Sequence, residues 1–546
     1  MHSFASTGAR SRNSKSRTMP VPNNTSPRYS LQPPCGLPAP FRLPLRQLED
    51  TEANQVDDID NVRRSAATDN DRSGDTLMSC FGTLSIPSLS LEDESAESND
   101  LSTHEKGAQT KCYPGPKLSD RATHGPDAGP LIDRFSCLFQ DQYDCRFNPK
   151  GIVSLGVAEN FLMQQQCMEL FSSALHNNIT PLDLSYGDSL WGSRRISKAL
   201  SAFLNEWFNP AEKVLPEQII TGVGCSAVLD QLFYTILDEN EAVLLAAPYY
   251  TGFDRDLISR GRVKLIPVHL SPEKAFGPES LELFEEVYDK ITAQGISVRA
   301  VIVCNPQNPL GRTYSRETLL AYAKFCQNKD LHLVSDEIYA LSVYENKDFP
   351  DALPFTSMLS LNVQEELGMN FDKSRLHVVY GMSKDFCANG LRVGSLISQH
   401  NPFLLRSMAN TSMLMKLSSP ADVIWSTLLQ DKMALKKFIT TNRQLLGEAQ
   451  AFIRKWFEDR GVPVADHNAG NFVWVNLGAA LEFDDVTTEK RIFQKLLDGG
   501  VYIAPGSAYH YHIPGWYRVT FSVARDNLLV GLGRIEKLLG LNLVTP

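Results

Sequence analysis

The chain has no Cys-X-X-Cys pair and no His/Cys cluster at metal-ligand spacing, although ten cysteines are spread from Cys35 to Cys387. That pattern excludes a disulfide scaffold and structural zinc, and fits a reducing compartment. No run approaches the roughly 20 apolar residues that a membrane span requires, and the N-terminus lacks the apolar core of a secretory signal. A soluble, cytoplasmic protein is expected. Positive charge is outnumbered, with 53 Lys and Arg against 63 Asp and Glu and a net charge of -10. An acidic balance gives no long-range attraction to phosphate backbones or anionic lipid, so neither nucleic acid nor membrane is an expected partner.

Acidic residues are missing from the start of the chain as far as Leu48, while Arg10, Arg12, Lys15, Arg17, Arg28, Arg42 and Arg46 are present. An Arg- and Ser-rich, acid-poor start is the composition of a mitochondrial transit peptide, but Pro20, Pro22, Pro27, Pro33 and Pro34 break any amphipathic helix there. Residues 1–125, including the acidic stretch around Glu92, Asp93, Glu94 and Glu97, show no lasting apolar periodicity. Such text cannot bury enough surface to offset ordering entropy and reads as a disordered, low-complexity tail.

From about Leu131 short apolar strands alternate with longer helical patterns, as in an α/β fold with a largely parallel sheet. Three strands stand out: Ala300 to Cys304, Leu331 to Ser335 and Leu376 to Tyr380. The first is followed by Asn305-Pro306-Gln307-Asn308-Pro309-Leu310-Gly311, the second by Asp336-Glu337-Ile338-Tyr339. The third leads into Gly381-Met382-Ser383-Lys384 and then Gly390-Leu391-Arg392-Val393-Gly394. In parallel sheets the carboxyl ends of strands are where ligands bind. An amide, an acid with a phenol, and a lysine with an arginine, in this order at three strand ends, are the components of a pyridoxal 5′-phosphate (PLP) site.

Each residue type has a chemical reason. A lysine forms an imine with the cofactor aldehyde and later acts as base, which requires it deprotonated in a cationic or desolvating setting; Lys384 is the candidate. A carboxylate opposite the pyridine nitrogen keeps the ring protonated and electron-withdrawing, and Asp336 is placed for that. Tyr339 and Asn308 are placed to hydrogen-bond the ring hydroxyl. For the phosphate, Gly224, Cys225 and Ser226 lie just before the helical pattern Ala227 to Leu237, where free N–H groups favour an anion, with Ser383 and Arg392 adding donors. Ser226 reads equally well as a plain N-cap. After the strand Ala242 to Leu245, Tyr250, or Tyr249 beside it, is placed to stack on the pyridine. Arg518 stands inside the strand-like run Trp516 to Phe521; a buried arginine needs an anion, either a substrate carboxylate or an internal acid. His510 and His512 read as loop residues.

These motifs, with Gly156-Val157-Ala158-Glu159-Asn160 and the run Gly252 to Leu257, resemble the fold-type I PLP enzymes, within them the class I aminotransferases, and most closely the branch that includes 1-aminocyclopropane-1-carboxylate (ACC) synthase. The resemblance runs from Gly151 to the C-terminus. It implies an aspartate aminotransferase-like fold with a large PLP-binding domain at 181–420 and a smaller α/β domain from 126–180 and 421–546. It also implies a homodimer acting on an amino acid, with Glu159 and Tyr186 joining Arg518 on the substrate side. One departure stands out: where ACC synthases carry the tyrosine of a Tyr-His-Gly-Leu stretch, this chain has Leu190, with Tyr186 four residues earlier. Amino-group transfer, in the manner of the branch's members in fungal secondary metabolism, is the leading expectation. Carbon-sulfur or ACC-type elimination is the alternative, and a non-catalytic PLP-binding partner protein a remote one.

Overall fold

The computed structural model describes residues 119, 138–272 and 274–543. The basic start and acidic stretch of the expected tail lie outside the described residues. Among the described residues β1 (Val153–Ser154) comes first. It is followed by β2 (Ile219–Gly222), β3 (Ala242–Ala247), β4 (Lys264–His269), β5 (Val298–Cys304), β6 (His332–Asp336), β7 (Leu376–Gly381) and β8 (Gly394–Ile397). Then come β9 (Phe472–Asn476), β10 (Val501–Tyr502), β11 (Ala504–Pro505) and β12 (Trp516–Thr520).

β2 to β8 form one seven-stranded sheet in the order β2-β8-β7-β6-β5-β3-β4. Pairing is parallel from β4 through β3, β5 and β6 to β7, and β8 runs antiparallel to both its neighbours. The strands read as unbroken apolar runs because both faces are covered. Val301 and Val303 enter one core while Ala300 and Ile302 enter the other, the period of two that a strand imposes. Helices Arg194–Trp207 and Ser419–Gln430 fill the first core, and helix Cys225–Ile236 turns Val228, Leu229, Leu232 and Phe233 into the second. Each such apolar side chain contributes about 1.5–3 kcal/mol on burial. The helix Arg194–Trp207 starts where the Ser193 hydroxyl accepts from the Ile196 N–H at 3.0 Å, a cap worth about 1 kcal/mol.

Two smaller sheets lie outside this one: β1 beside β10, and β11-β12-β9. They build a separate core from Val153, Leu155, Trp474, Tyr517 and Val519, among others. Backbone bonds from Leu155 N to Tyr502 O (2.8 Å), Thr520 N to Leu155 O (2.7 Å) and Phe161 N to Ser522 O (2.7 Å) dock the 155–161 segment against the C-terminal strands. The long helix Lys432–Glu458 spans both regions, with Leu435, Phe438 and Ile439 in the large-sheet core and Leu446, Ile453 and Phe457 in the smaller one.

Candidate active site

Strands that run parallel deliver their carboxyl ends to one edge of a sheet. Along that edge stand Val223 to Ser226 after β2, Pro248 to Tyr250 after β3, Asn305 to Asn308 after β5, Glu337 to Tyr339 after β6 and Met382 to Lys384 after β7. Antiparallel β8 begins at the same edge, just after Arg392. Segments far apart in the chain are thereby brought together by topology alone.

Lys384 is half-buried, and its Nζ donates to the Ala158 carbonyl oxygen at 2.5 Å. Burial, assisted by the Arg518 charge and opposed by Glu159, lowers its pKa to about 8. A substantial share of this amine is therefore uncharged just above neutrality. The next residue, Asp385, is buried and accepts from Leu341 N (2.8 Å), Ser342 Oγ (2.6 Å) and Tyr380 Oη (2.9 Å). These bonds tie the lysine's loop to the turn that carries Tyr339, a function that sequence reading does not give to Asp385.

Asp336 is 5% exposed, and burial pushes its carboxyl up to about 7. Its Oδ1 accepts from Ile338 N at 3.2 Å. Its neighbour Glu337 is bonded away from it, accepting from Ser335 Oγ (3.0 Å), Ser357 Oγ (2.5 Å) and Met358 N (2.8 Å). Of the two adjacent acids, Glu337 is consumed by anchoring the 357–358 segment, which leaves Asp336 for the site. Tyr339 is buried with its ring edge-on to Phe472 at 5.5 Å, and its hydroxyl has no hydrogen-bond partner among the described residues. A buried phenol left so costs about 1–3 kcal/mol, a cost that a ligand oxygen beside it would remove.

Arg518 on β12 is buried, donating from Nη1 to Asn308 Oδ1 at 2.9 Å and from Nη2 to the Gly156 carbonyl at 2.5 Å. Its Cζ lies 4.8 Å from the Phe472 ring centroid and 4.9 Å from that of Tyr509, and its Nε has no partner. No carboxylate among the described residues forms an ion pair with it, so the alternative of an internal acid is not met. Asn308 thus touches the arginine directly, which the sequence did not indicate.

The helix Cys225–Ile236 has Gly224 at its N-cap, at φ 93°, so Ser226 sits within the first turn and the plain N-cap alternative falls. A side chain at Gly224 would collide with the Arg392 guanidinium, which therefore lies directly over the helix start. Arg392 Nη1 also donates to Asn389 O at 2.9 Å. Ser383 is buried beside Lys384, and burial raises the Cys225 thiol well above its ordinary range, so that it stays neutral. Burial likewise raises the nearby Asp256, against the pull of Arg255 and the Ser226 hydroxyl.

The two tyrosines after β3 part ways. Tyr249 bonds Asp254 Oδ1 at 2.9 Å and stacks on His510 at 4.5 Å. Tyr250 faces the site: burial raises its phenol to about 12, with Asp256, Arg518 and Asp336 among the charges it feels. Glu159 Oε1 accepts from Asn389 Nδ2 at 2.9 Å, close enough to Lys384 to influence it. Tyr186 is not brought to this cluster within the chain. It is 73% exposed, and its carbonyl accepts from Lys416 Nζ at 2.6 Å, because the 181–192 segment runs over the surface.

The model for aminotransferase class I and II matches residues 150–535, which include every strand described above. The chain belongs to this family. Among similar proteins, the probable aminotransferase aclI of Aspergillus oryzae is 32% identical over 71% of this chain and 91% of that one. The 1-aminocyclopropane-1-carboxylate synthase 7 of Arabidopsis thaliana is 31% identical over 76% and 93%. The fold is that of aspartate aminotransferase from Thermus thermophilus, solved with maleate, with a TM-score of 0.61 at 22% identity over 77% of this chain and 99% of that one. Like its family, the chain is a PLP-dependent, aminotransferase-like enzyme. Its own residues fit that cofactor: a lysine of lowered pKa for the aldehyde, an orphaned buried phenol, a buried acid, and a glycine-opened helix N-terminus under an arginine for the phosphate. No helix among the described residues is long and apolar enough to cross a membrane.

Proposed function

We propose that the enzyme transfers an amino group between an α-amino acid and a 2-oxo acid, with Lys384 as the residue that holds PLP and moves the proton at the substrate Cα. The observation that supports this reading most is Arg518, a buried cation with a donor to spare and no ion pair to an acid among the described residues, whose charge is felt by an amine that is partly free of its proton near neutrality. Bound PLP supplies an aldehyde for amines and a ring that withdraws electron density from the substrate Cα. Asp336 would face the ring nitrogen; Tyr339 and Asn308 would donate to the ring hydroxyl; Gly224, Cys225, Ser226, Ser383 and Arg392 would hold the phosphate. Tyr250 would stack against the ring. Arg518 binds the substrate carboxylate in a fork that fixes the Cα–H toward Lys384. Lys384 would take that proton as base and, as acid, give the same proton to a carbon of the cofactor.

The PLP-binding part corresponds to the large sheet, and the smaller part to the sheets of β1 and β9 to β12. The packing of Ser419–Gln430 and the first turns of Lys432–Glu458 with the large core favours a boundary within that long helix over one at 420. The same reading takes the protein as a homodimer in which the exposed segment with Tyr186 and Trp191 faces the second copy. A second reading, elimination at a sulfur-bearing side chain, is favoured by Glu159, whose carboxylate is held by Asn389 near Lys384, and by the similarity to ACC synthases. Leu190 in place of the tyrosine speaks against the ACC-forming version.

A panel of amino acids assayed with and without a 2-oxo acid separates the two. Keto-acid product that requires the added 2-oxo acid supports transfer; thiol or ACC formed without it overturns transfer in favour of elimination.

A further inference from the structure

The hairpin loop between β11 and β12 carries Tyr509 and His510, and its base is tied at both ends to one buried acid. Glu489, from helix Val486–Asp498, accepts from Ser507 N at 3.2 Å and from Gly515 N at 2.8 Å. Its own carbonyl accepts from Tyr517 Oη at 3.0 Å. Between these anchors the chain makes a tight turn at Gly506–Tyr509, with His510 in the left-handed region at φ 58°. That turn buries Tyr509 against Trp474, at 5.7 Å, and lays its ring on the Arg518 guanidinium.

The tip of the loop meets the segment that follows β3. Asp254 offers one oxygen to each partner: Oδ1 accepts from Tyr249 Oη at 2.9 Å, and Oδ2 lies 2.7 Å from His510 Nε2. The imidazole and the phenol ring are stacked at 4.5 Å with 10° between planes. A backbone bond from Tyr249 N to Tyr509 O at 3.0 Å runs alongside. None of these groups reaches Lys384, yet Tyr249 precedes Tyr250 and His510 follows Tyr509, so the junction fixes a wall residue on each side of the site.

We propose that Asp254 and His510 are positioning residues that clasp the 506–515 loop to the segment after β3 and so hold Tyr509 and Arg518 in register for the substrate carboxylate. The clasp rests on the reading of Arg518 given above. It acts on substrate capture and not on the chemistry at Lys384. Both side chains are partly exposed at the rim, where water replaces a broken bond, so the loop opens without unfolding the core.

The test uses the PLP-loaded full chain and its His510→Ala, Asp254→Ala, His510→Gln and Arg518→Met variants. Loss of one hydrogen bond to a charged group corresponds to about a tenfold weakening. KM for the amino acid that the panel shows to turn over fastest is expected to rise about tenfold in His510→Ala and Asp254→Ala, with kcat within about twofold. Hydrogen exchange is expected to quicken at 506–515 and to stay unchanged in helix Lys432–Glu458. His510→Gln, whose side-chain amide can donate in place of Nε2, restores most of the KM. Unchanged KM and unchanged loop exchange in both alanine variants overturn the clasp, as does a parallel fall in kcat and thermal stability, which marks a merely structural contact. If Arg518→Met leaves KM unaltered, it is the carboxylate reading that fails. If Arg518→Met raises KM and the alanine variants do not, only the clasp fails. Should no amino acid turn over, the exchange of 506–515 still decides whether the loop is clasped.

Discussion

Replacing Arg518 with Met separates function from stability. Arg518 is 5% exposed, and its guanidinium is bonded to an amide oxygen and a peptide oxygen, with no ion pair to a carboxylate among the described residues. Taking a cation out of water without a counter-charge costs several kcal/mol, and neutral donors recover only part of this. Methionine keeps most of the apolar stem against Phe472 and Tyr509 and removes the charge. The cofactor-free variant is therefore expected to melt at or above the temperature of the parent chain. Catalysis goes the other way. Removing one partner of a buried charge pair costs about 3–5 kcal/mol, which is about 10²–10³-fold or more in kcat/KM for an α-amino acid. Calorimetry of the apoprotein and steady-state kinetics of the loaded enzyme measure the two effects. A variant that melts well below the parent while keeping its kcat/KM refutes the reasoning, because Arg518 is then a structural cation with a compensation not seen here.

Other perturbations follow from the same geometry. Lys384→Ala is expected to abolish the visible absorption band of bound PLP along with turnover, whereas Asp336→Ala keeps part of the bound cofactor and loses turnover; absorption spectra and an activity assay decide both. The rate at which the apoprotein takes up PLP should rise with pH through about 8 and then level off, because only uncharged Lys384 attacks an aldehyde and burial has lowered its pKa to that value; stopped-flow absorbance follows it. Gly224→Ala should weaken PLP binding, since its methyl group would displace the Arg392 guanidinium, and equilibrium dialysis reads this. Acid should destabilise the fold early: burial depresses His377 to about 3, and His332 and His467 to about 4. A histidine with a depressed folded pKa contributes stability that is fully present above its unfolded pKa, near 6.5, and is lost as pH falls below that. By pH 5 each costs about 2 kcal/mol, and His377→Asn should flatten the decline seen in denaturant titrations between pH 7 and 5.

The large sheet was legible because its strands are unbroken apolar runs that end in polar or glycine-rich text. Lys384, Asp336, Tyr339 and Asn308 could be singled out as candidates because each stands at such an end, and parallel topology carries strand ends to one edge. Strand limits slipped by a residue or two, as with β5, which starts at Val298, and β6, which runs on into Asp336. The sequence favoured Tyr250 and left Tyr249 open, since their separation depends on Asp254 and His510, residues that meet only through the loop from β11 to β12. Asp385 and Glu337 carry no sequence mark that distinguishes them from surface acids; their burial is set by partners as distant as Ser342 and Ser357. Tyr186 was assigned to the substrate side by resemblance, and a single chain leaves it on the surface.

The central claim is that Lys384 carries the cofactor, and borohydride reduction of the PLP-loaded protein followed by peptide mass mapping tests it most directly. The account predicts a pyridoxyl-phosphate adduct on Lys384 and on no other lysine. An adduct confined to a different lysine, or a protein that binds PLP and yields none after reduction, would contradict it.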